Sequence, residues 1–293
     1  MESLSKLTVV ILTYKTNRQI LLDCLNSIDI NVKVKIIENS NKFEKEEELL
    51  NKFSNLSIEC TGENLGFGGG NNFAYTKVQT KYVLSLSPDT ICSADFFKNI
   101  RLYLDEKINF SIIGVSYIDK NEYSTFGYFD KKKNLIEKDS LIEAGWVMGC
   151  AMLINLNKFK NIKIFDEKIF IYFDEFDACY NAIRNGGKVF SSKVLLIRHL
   201  GNKGSLAADP NFKEVTNKFR DWHWMWSQFY FYKKNYSYFF AFKKFFLRLI
   251  KFGLLIFVFK ILQNKKSLNR VKYRFFGLFN SMVGRDSFYR LED

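Results

Sequence analysis

The sequence predicts an α/β protein with a largely parallel sheet, followed by a basic and aromatic helical extension. Two observations lead to this prediction. Short β-branched runs alternate with amphipathic stretches in the first half of the chain, and the composition changes near residue 210. The 293 residues are 47% hydrophobic, which is enough for one large domain or for one domain with a tail.

The alternation in the first hundred residues is typical of βαβ units in a parallel sheet. Strands are predicted at residues 7–12, 32–37 and 82–86, and helices at residues 18–28, 44–53 and 94–104. Because ligands of such sheets bind beyond the carboxyl ends of the strands, we expect the informative residues just after each run.

A less regular second part follows, with an apolar run at 150–154, a helical pattern at 175–185 and a strand-like run at 188–197. We expect it to complete a first domain over residues 1–210. The extension then occupies residues 211–293.

The positive charge is concentrated in the extension. Residues 213–293 carry 17 Lys and Arg against 5 Asp and Glu, whereas residues 1–212 carry 27 against 26. A basic end on a nearly neutral body indicates attachment to an anionic surface or polymer. The first apolar run is too short for a signal peptide, so we expect the body to lie in the cytoplasm. Five widely spaced cysteines without a Cys-x-x-Cys pair disfavour a disulfide framework and a zinc site.

A glycine-rich turn, residues 63–72, carries four glycines in five positions. Glycines let a backbone approach a ligand closely, and we expect a helix to begin after them at Asn71. The turn lacks the Lys-Ser/Thr ending of a P-loop and the spacing of the dinucleotide fingerprint, which disfavours ATPase and dehydrogenase functions. Taken alone, it is equally well explained as loop architecture.

Several short motifs follow one another between residues 7 and 205. They are Thr13-Tyr14, Glu38-Asn39-Ser40, the glycine-rich turn, Pro88-Asp89-Thr90, residues 145–154, 165–167 and 172–177, Arg184, and residues 199–205. In this order they resemble the family-two glycosyltransferases and, most closely, their rhamnosyltransferase-like branch. The resemblance implies a GT-A fold, with a nucleotide-sugar half at about 1–110 and an acceptor half at about 111–210.

The resemblance also assigns residues to the donor. Thr13, Tyr14 and Glu38 would line the base and ribose pocket, although the family usually has Asp where Glu38 stands. For Tyr14 the alternative is an aromatic side chain that caps the core. The other residues expected on the donor side are Asn64, Gly66, Gly68, Asn71, Pro88 and Arg184.

Asp89 stands where the family's Asp-x-Asp metal motif ends, and Ser87 replaces the first carboxylate. A divalent cation would neutralise the diphosphate, and one carboxylate with diphosphate oxygens and water can hold Mg²⁺ or Mn²⁺. His199 resembles a family histidine that is available for metal or phosphate. The alternatives are a Pro-Asp turn residue and a structural histidine.

The general base is expected at residues 174–177. The family commonly has Glu-Asp-x-Asp here, whereas this chain has Asp-Glu-Phe-Asp. Because the second acid of the pair acts in the family, Glu175 is the first choice and Asp174 the second, while Asp177 would orient the site, with Arg184 as its partner. An acidic first turn that suits the helix dipole is the alternative explanation. Trp146 and Gly149 are expected on the acceptor side.

The extension is dense in aromatic residues between Trp222 and Phe259. Lys244, Arg248 and Lys251 share one helical face, and the longest uncharged run, 252–259, is far shorter than the roughly 20 residues that span a bilayer. These features predict an interfacial helix on an anionic membrane. A helix packed on the body and a homodimer contact are the alternatives.

The expected activity is inverting hexose transfer, most specifically of L-rhamnose from a dTDP donor, to a lipid-linked saccharide in surface polysaccharide synthesis. The protein would be peripheral at the inner face of the cell membrane. UDP-linked galactofuranose or N-acetylhexosamine are alternative donors. Two hypotheses for a different kind of function stay open. The protein could be a non-catalytic nucleic-acid binder that uses the basic extension, or a non-catalytic relative that lacks the first metal carboxylate. We expect no nucleic-acid partner, because the motifs in residues 1–205 would then have no role.

Overall fold

The computed structural model describes residues 3–105, 107–118, 125–129, 137–138, 140–159, 163–201, 203–204 and 210–290. The chain divides into two compact units. One comprises Met1–Asp166 and Glu175–Ala208, and the other Glu167–Asp174 and Asp209–Asp293.

The first unit contains strands and helices in alternation. Its strands are β1 (Leu7–Thr13), β2 (Lys33–Glu38), β3 (Leu56–Cys60), β4 (Tyr82–Leu86), β5 (Thr90–Cys92), β6 (Ile112–Tyr117), β7 (Phe126–Gly127), β8 (Glu137–Lys138), β9 (Leu141–Glu143), β10 (Trp146–Val147), β11 (Ala151–Asn155) and β12 (Val189–His199). Its helices are α1 (Arg18–Asn26), α2 (Glu46–Lys52), α3 (Gly66–Thr76), α4 (Phe96–Ile100) and α5 (Asp174–Arg184).

Within the described residues, ten strands form one sheet in the order β3-β2-β1-β4-β11-β6-β12-β9-β8, with β5 paired to the end of β12. Strands β1, β2, β3 and β4 are parallel, as are β6 and β12. Strand β11 runs antiparallel between β4 and β6. The predicted α/β fold class is confirmed. The predicted strands of the first half are confirmed to within one residue, but β3 was not predicted, because its half-buried sequence mixes polar and apolar residues.

Helices cover both faces of this sheet. Leu7, Val9 and Ile11 of β1 pack into one buried cluster with α1 and α4, whereas Val10 packs into a second cluster with α3 and α5. The two clusters follow from the period of two in a strand, which sends successive side chains to opposite faces.

Helix α3 begins at Gly66, so the predicted start at Asn71 is wrong. Gly66 has φ of +77°, a left-handed conformation that glycine adopts without a steric penalty. A side chain at Gly70 would place its Cβ 2.5 Å from Leu12 Cδ1. Gly66 therefore permits the turn into the helix, and Gly70 lets α3 lie directly on β1.

The second unit is helical and contains α6 (Lys213–Asn235), α7 (Tyr238–Ile261) and α8 (Lys265–Met282). Its core is built from Met225, Phe229, Phe245, Phe252 and Leu278. The segment 167–174 belongs to this unit, where Ser227 Oγ donates to the Ile171 carbonyl at 2.9 Å. No helix among the residues that the structure describes is long and apolar enough to cross a membrane.

Candidate active site

The strand register brings several predicted residues to one edge of the sheet. Thr13 pairs with Glu38 at the carboxyl ends of β1 and β2. Leu86, the last residue of β4, pairs with Ala151, so the residues before antiparallel β11 reach the same edge. At the end of β12, His199 pairs with Thr90, immediately after Asp89. A ligand at this edge would meet the carboxyl ends of β1, β2, β4 and β12.

Glu38 is a buried carboxylate that fixes the loop after β1. Its Oε2 accepts a hydrogen bond from Thr13 Oγ1 at 2.6 Å. Its Oε1 accepts from the Lys15 backbone N–H at 3.3 Å and from Ser40 Oγ at 2.8 Å. A carboxylate has about four acceptor positions. These protein donors take three of them, which leaves one for a ligand N–H.

The start of α3 is held by two asparagines. Asn39 Nδ2 donates to Asn64 Oδ1 at 3.0 Å and to the Gly66 carbonyl at 2.9 Å. Asn64 Oδ1 also accepts from the Gly66 N–H, and Asn39 Oδ1 accepts from the Leu65 N–H, both at 3.0 Å. This network fixes the left-handed turn at Gly66, which is part of the predicted diphosphate side.

Asn71 lies beneath the turn and is fully buried. Its Nδ2 donates to the Phe67 carbonyl at 2.9 Å, and its Oδ1 accepts from Ser85 Oγ at 2.9 Å. The side chain thus joins α3 to β4, while its direct contact with a donor stays a prediction.

Asp89 is 4% exposed and follows buried Pro88 in the turn after β4. Its Oδ1 lies 3.4 Å from His199 Nε2, and its Oδ2 accepts from the Lys203 N–H at 3.0 Å. Burial by itself raises the pKa of this carboxyl, but the hydrogen bond and charge of His199 and the Lys203 N–H outweigh it and hold the pKa below its usual range. The site therefore keeps Asp89 as an anion.

Tyr117, at the end of β6, contacts the histidine that faces Asp89. Its hydroxyl lies 3.4 Å from His199 Nδ1 and 3.3 Å from Cys150 Sγ, and its ring stacks on the His199 ring. If the hydroxyl donates to Nδ1, the histidine proton is on Nε2, where it faces Asp89. Tyr117 is thus placed to orient His199.

Glu175 occupies the first turn of α5, beside Gly149. A Cβ at Gly149 would lie 3.6 Å from the Glu175 Cδ. Burial raises the pKa of the Glu175 carboxyl to about 7, and its own backbone N–H offsets only part of that rise. Burial likewise raises the pKa of the Cys150 thiol to about 12, and the charges of Asp89 and Glu175 both add to the rise. Both carboxylates therefore lie within electrostatic reach of one thiol.

Several glycosyltransferase structures share this fold. The structure of GalNAc-T7 with UDP, GalNAc and Mn²⁺ has a TM-score of 0.57 at 14% identity, over 77% of this chain and 49% of that one. The mannosyltransferase PcManGT from Pyrobaculum calidifontis, with GDP-Man and Mn²⁺, has a TM-score of 0.56 at 10% identity, over 94% and 87%. The S. aureus TarS 1-349 structure with UDP-GlcNAc has a TM-score of 0.53 at 12% identity, over 97% and 93%.

The fold is the GT-A fold of glycosyltransferases. This chain spans about half the length of the GalNAc-T7 chain. No protein-family model matches the sequence, and no curated protein matches it.

In the GT-A unit, the acceptor side predicted from the sequence carries an aromatic pair. The half-buried Trp146 ring stacks on Phe176, with centroids 4.4 Å apart. Phe176 directly follows Glu175 in the first turn of α5, so the aromatic pair lies at the same end of this helix as the carboxyl. A flat apolar ring is suited to the apolar face of a sugar.

The other two acids of α5 are buried more deeply than Glu175, which is half-buried. Asp174 is 1% exposed at the first residue of the helix, and Asp177 is fully buried and accepts from Asn181 Nδ2 at 3.0 Å. Arg184 lies exposed at the last residue of α5, roughly 14 Å along the axis from Glu175. The structure thus brings Glu175 to the site and sets Arg184 away from it.

The sequence did not identify Tyr117. Asn39 belongs to one of the motifs, but its hydrogen bonds to the start of α3 were not predicted. The loop after β12 also contributes, since Thr16 Oγ1 donates to the Gly204 carbonyl at 2.6 Å. The motif at residues 199–205 gave a signal for this loop, but nothing marked Tyr117, which is 82 residues from His199. Asn202 and Ser205 of that motif lie outside the described residues.

Proposed function

We propose that this protein is an inverting glycosyltransferase that moves a hexose from a nucleotide-diphosphate donor to a saccharide hydroxyl. The proposal rests on one observation: the Glu175 carboxyl lies beside Gly149 at the edge of a GT-A sheet, where burial raises its pKa to about 7. A general base works best with a pKa near the pH of reaction.

The reaction is a single displacement. The acceptor hydroxyl oxygen forms a bond to the anomeric carbon, while the bond from that carbon to the diphosphate oxygen breaks and the nucleoside diphosphate leaves. Glu175 takes the hydroxyl proton on the side opposite the leaving group. Trp146 and Phe176 orient the acceptor sugar. The first turn of α3 receives the diphosphate with backbone N–H groups that follow Gly66, since the N–H groups of Leu65 and Gly66 already donate to Asn39 and Asn64.

The donor is proposed to be dTDP-L-rhamnose, with UDP-galactofuranose and UDP-N-acetylhexosamine as the alternatives. Rhamnose rests on the resemblance of the motifs alone. The structures of the neighbours contain UDP, GDP-Man and UDP-GlcNAc, which supports a nucleotide-sugar donor in general. A panel of these donors, assayed by release of nucleoside diphosphate without acceptor, would distinguish them.

Mg²⁺ or Mn²⁺ is proposed to bind at Asp89 and His199. Among the described residues no group of three or more His, Cys, Asp or Glu side chains could hold a metal ion. However, Asp89 Oδ1 and His199 Nε2 are 3.4 Å apart, which fits two ligands of one ion whose other ligands are diphosphate oxygens and water. In that bound state the histidine proton would be on Nδ1, which would donate to the Tyr117 hydroxyl. The ion would offset the negative charge that develops on the diphosphate.

The acceptor is proposed to be a lipid-linked saccharide used in surface polysaccharide synthesis at the inner face of a membrane. The basic extension supports this, because 17 Lys and Arg against 5 Asp and Glu in residues 213–293 favour an anionic surface. The extension would keep the protein close to an acceptor that cannot leave the bilayer.

Replacing Glu175 by Gln tests the proposed base. We expect Glu175→Gln to lower kcat by roughly 10² to 10⁴-fold and to leave donor Kd nearly unchanged, since a base acts in the transition state. Glu47→Gln, an exposed change in α2, is the matched control. If Asp174→Asn abolishes transfer and Glu175→Gln does not, the assignment is wrong.

Replacing Asp89 by Asn tests the metal site by binding alone. We expect Asp89→Asn to weaken binding of UDP or dTDP, measured by calorimetry, when Mn²⁺ is present but not when it is chelated. An equal loss in both conditions would show that Asp89 acts only through the Lys203 and His199 contacts of its loop.

A further inference from the structure

Helix α7 turns a largely apolar face away from the core of the helical unit. Its buried side, Ala241, Phe245 and Phe252, packs into the core of the helical unit. The opposite side, named here the outer face, consists of Phe239, Leu247, Ile250, Leu254, Phe257 and Ile261, which are between 45% and 74% exposed.

The outer face is one stripe rather than scattered residues. Its members recur at intervals of three, four or eight residues, which places them on one side of an α-helix. From Phe239 to Ile261 the stripe is about 33 Å long. Contiguous exposed apolar surfaces of this kind mark interaction sites, whereas single exposed apolar residues need no explanation.

Basic side chains border the outer face. Lys244 Nζ lies 4.3 Å from the centre of the Tyr232 ring, and Arg248 Nη1 donates to Gln228 Oε1 at 3.3 Å, so both lie on the flank next to α6. Lys251 is exposed beside the stripe, whereas Lys243 lies within it, four residues from both Phe239 and Leu247. Long lysine side chains can keep their charge at a polar surface while their stems lie along apolar groups.

The charge around this face has one sign. Residues 236–285 contain eleven Lys or Arg and no Asp or Glu. A second copy of the chain on this face would bring Lys243 and Lys251 against like charges without an acidic partner from these residues. A bilayer with anionic headgroups instead supplies negative charge at the flanks and acyl chains at the centre.

We propose that the outer face of α7 inserts into the acyl boundary of an anionic phospholipid bilayer, with the helix parallel to the membrane. This deepens the membrane attachment of the proposed function, since it assigns apolar insertion to the outer face and headgroup contact to Lys243, Lys244, Arg248 and Lys251. It does not depend on catalysis.

The test compares two triple variants of the full chain. Leu247→Ser, Leu254→Ser and Phe257→Ser remove the centre of the outer face. Ile30→Ser, Leu102→Ser and Val283→Ser remove three apolar side chains of similar exposure elsewhere, at 59%, 57% and 53%. Because all six residues are exposed, both variants should fold, which thermal unfolding checks.

Co-sedimentation uses phosphatidylcholine vesicles with and without about 30% phosphatidylserine. We expect the wild type and the control to bind the anionic vesicles equally, and the outer-face variant to bind at least tenfold more weakly. Undiminished binding by the outer-face variant overturns the proposal. The proposal is also overturned if the wild type is a dimer that does not bind vesicles and the outer-face variant is a monomer. The face would then be a contact between copies.

Transfer to a soluble acceptor analogue separates this inference from the proposed function. We expect the outer-face variant to keep the wild-type rate on the soluble acceptor while losing vesicle binding. A wild type that binds vesicles but turns over no nucleotide sugar would overturn the proposed function and leave the membrane inference standing.

Discussion

At the scale of single residues, the site holds two carboxylates in opposite electrostatic environments. Burial raises the pKa of Glu175 to about 7, whereas the His199 contact and the Lys203 N–H keep the pKa of Asp89 low in spite of its burial. Environments that separate two pKa values in this way assign different roles to the two groups. Glu175 is suited to accept a proton, and Asp89 is suited to remain an anion.

The raised pKa predicts the pH dependence of transfer. A base must be deprotonated, so kcat/KM should rise with pH to a plateau with a midpoint near the pKa of about 7. Initial rates at saturating metal between about pH 5 and 9 would show it. A profile that is flat across neutral pH, in an enzyme that is otherwise active, would exclude Glu175 as the base.

The same pKa predicts a pH-dependent stability. Burial raises the pKa of Glu175 from 4.5 to about 7 in the folded state. The contribution of its protonated carboxyl to the free energy of unfolding is therefore complete below about pH 4.5 and is lost as the pH rises through about 7. Because glutamine is uncharged at every pH, Glu175→Gln should raise the unfolding midpoint relative to the wild type more at pH 8 than at pH 5. Denaturant unfolding at both pH values, with Glu47→Gln as the control, measures this. An equal effect at the two pH values would contradict it.

At the scale of elements, two helical glycines of the extension have different surroundings. A Cβ at Gly277 of α8 would lie 2.1 Å from the Trp222 carbonyl oxygen of α6. At Gly253 of α7 the nearest atom would be Phe275 Cε2 at 3.8 Å. The first glycine permits close approach of α6 and α8, whereas the second has room for a methyl group.

This difference gives a matched pair of variants. Gly277→Ala should destabilise the protein by about 2 to 3 kcal/mol, because the helices must separate. Gly253→Ala should be neutral or stabilise by up to about 1 kcal/mol, since alanine favours helix. Chemical denaturation followed by circular dichroism measures both. Equal effects of the two changes would mean that the α6–α8 contact can open without cost.

At the scale of the whole molecule, charge is divided unequally along the chain. Residues 213–293 have a net charge of 17 − 5 = +12, and residues 1–212 have 27 − 26 = +1. Electrostatic attraction to anionic lipid is screened by salt, whereas catalysis on a soluble acceptor should be nearly independent of it.

Salt should therefore separate the two substrates. Raising NaCl from about 0.05 to about 0.5 M should lower transfer to a lipid-linked acceptor in anionic vesicles and leave transfer to its soluble analogue almost unchanged. Replacing Lys243, Lys244, Arg248 and Lys251 by Gln should reproduce the high-salt result at low salt, since each contributes on the order of 1 kcal/mol. Parallel salt dependence of both activities would place the charge effect at the donor site instead.

The sequence by itself determined the local features of this protein. The strands around Val10, Ile36 and Leu84 follow from runs of apolar residues, and the site positions at Thr13, Glu38 and Asp89 follow from the ends of those runs. These features depend on interactions between neighbours in the chain, which the residue pattern records directly.

Only the tertiary structure decided how distant residues combine. It placed β11 between β4 and β6, which brings Gly149 to the site edge, and it set Tyr117 against His199. It also buried Asn71 beneath the turn and raised the pKa of Glu175 to about 7. These outcomes depend on packing and desolvation between segments far apart in the chain, and local propensity carries no information about them.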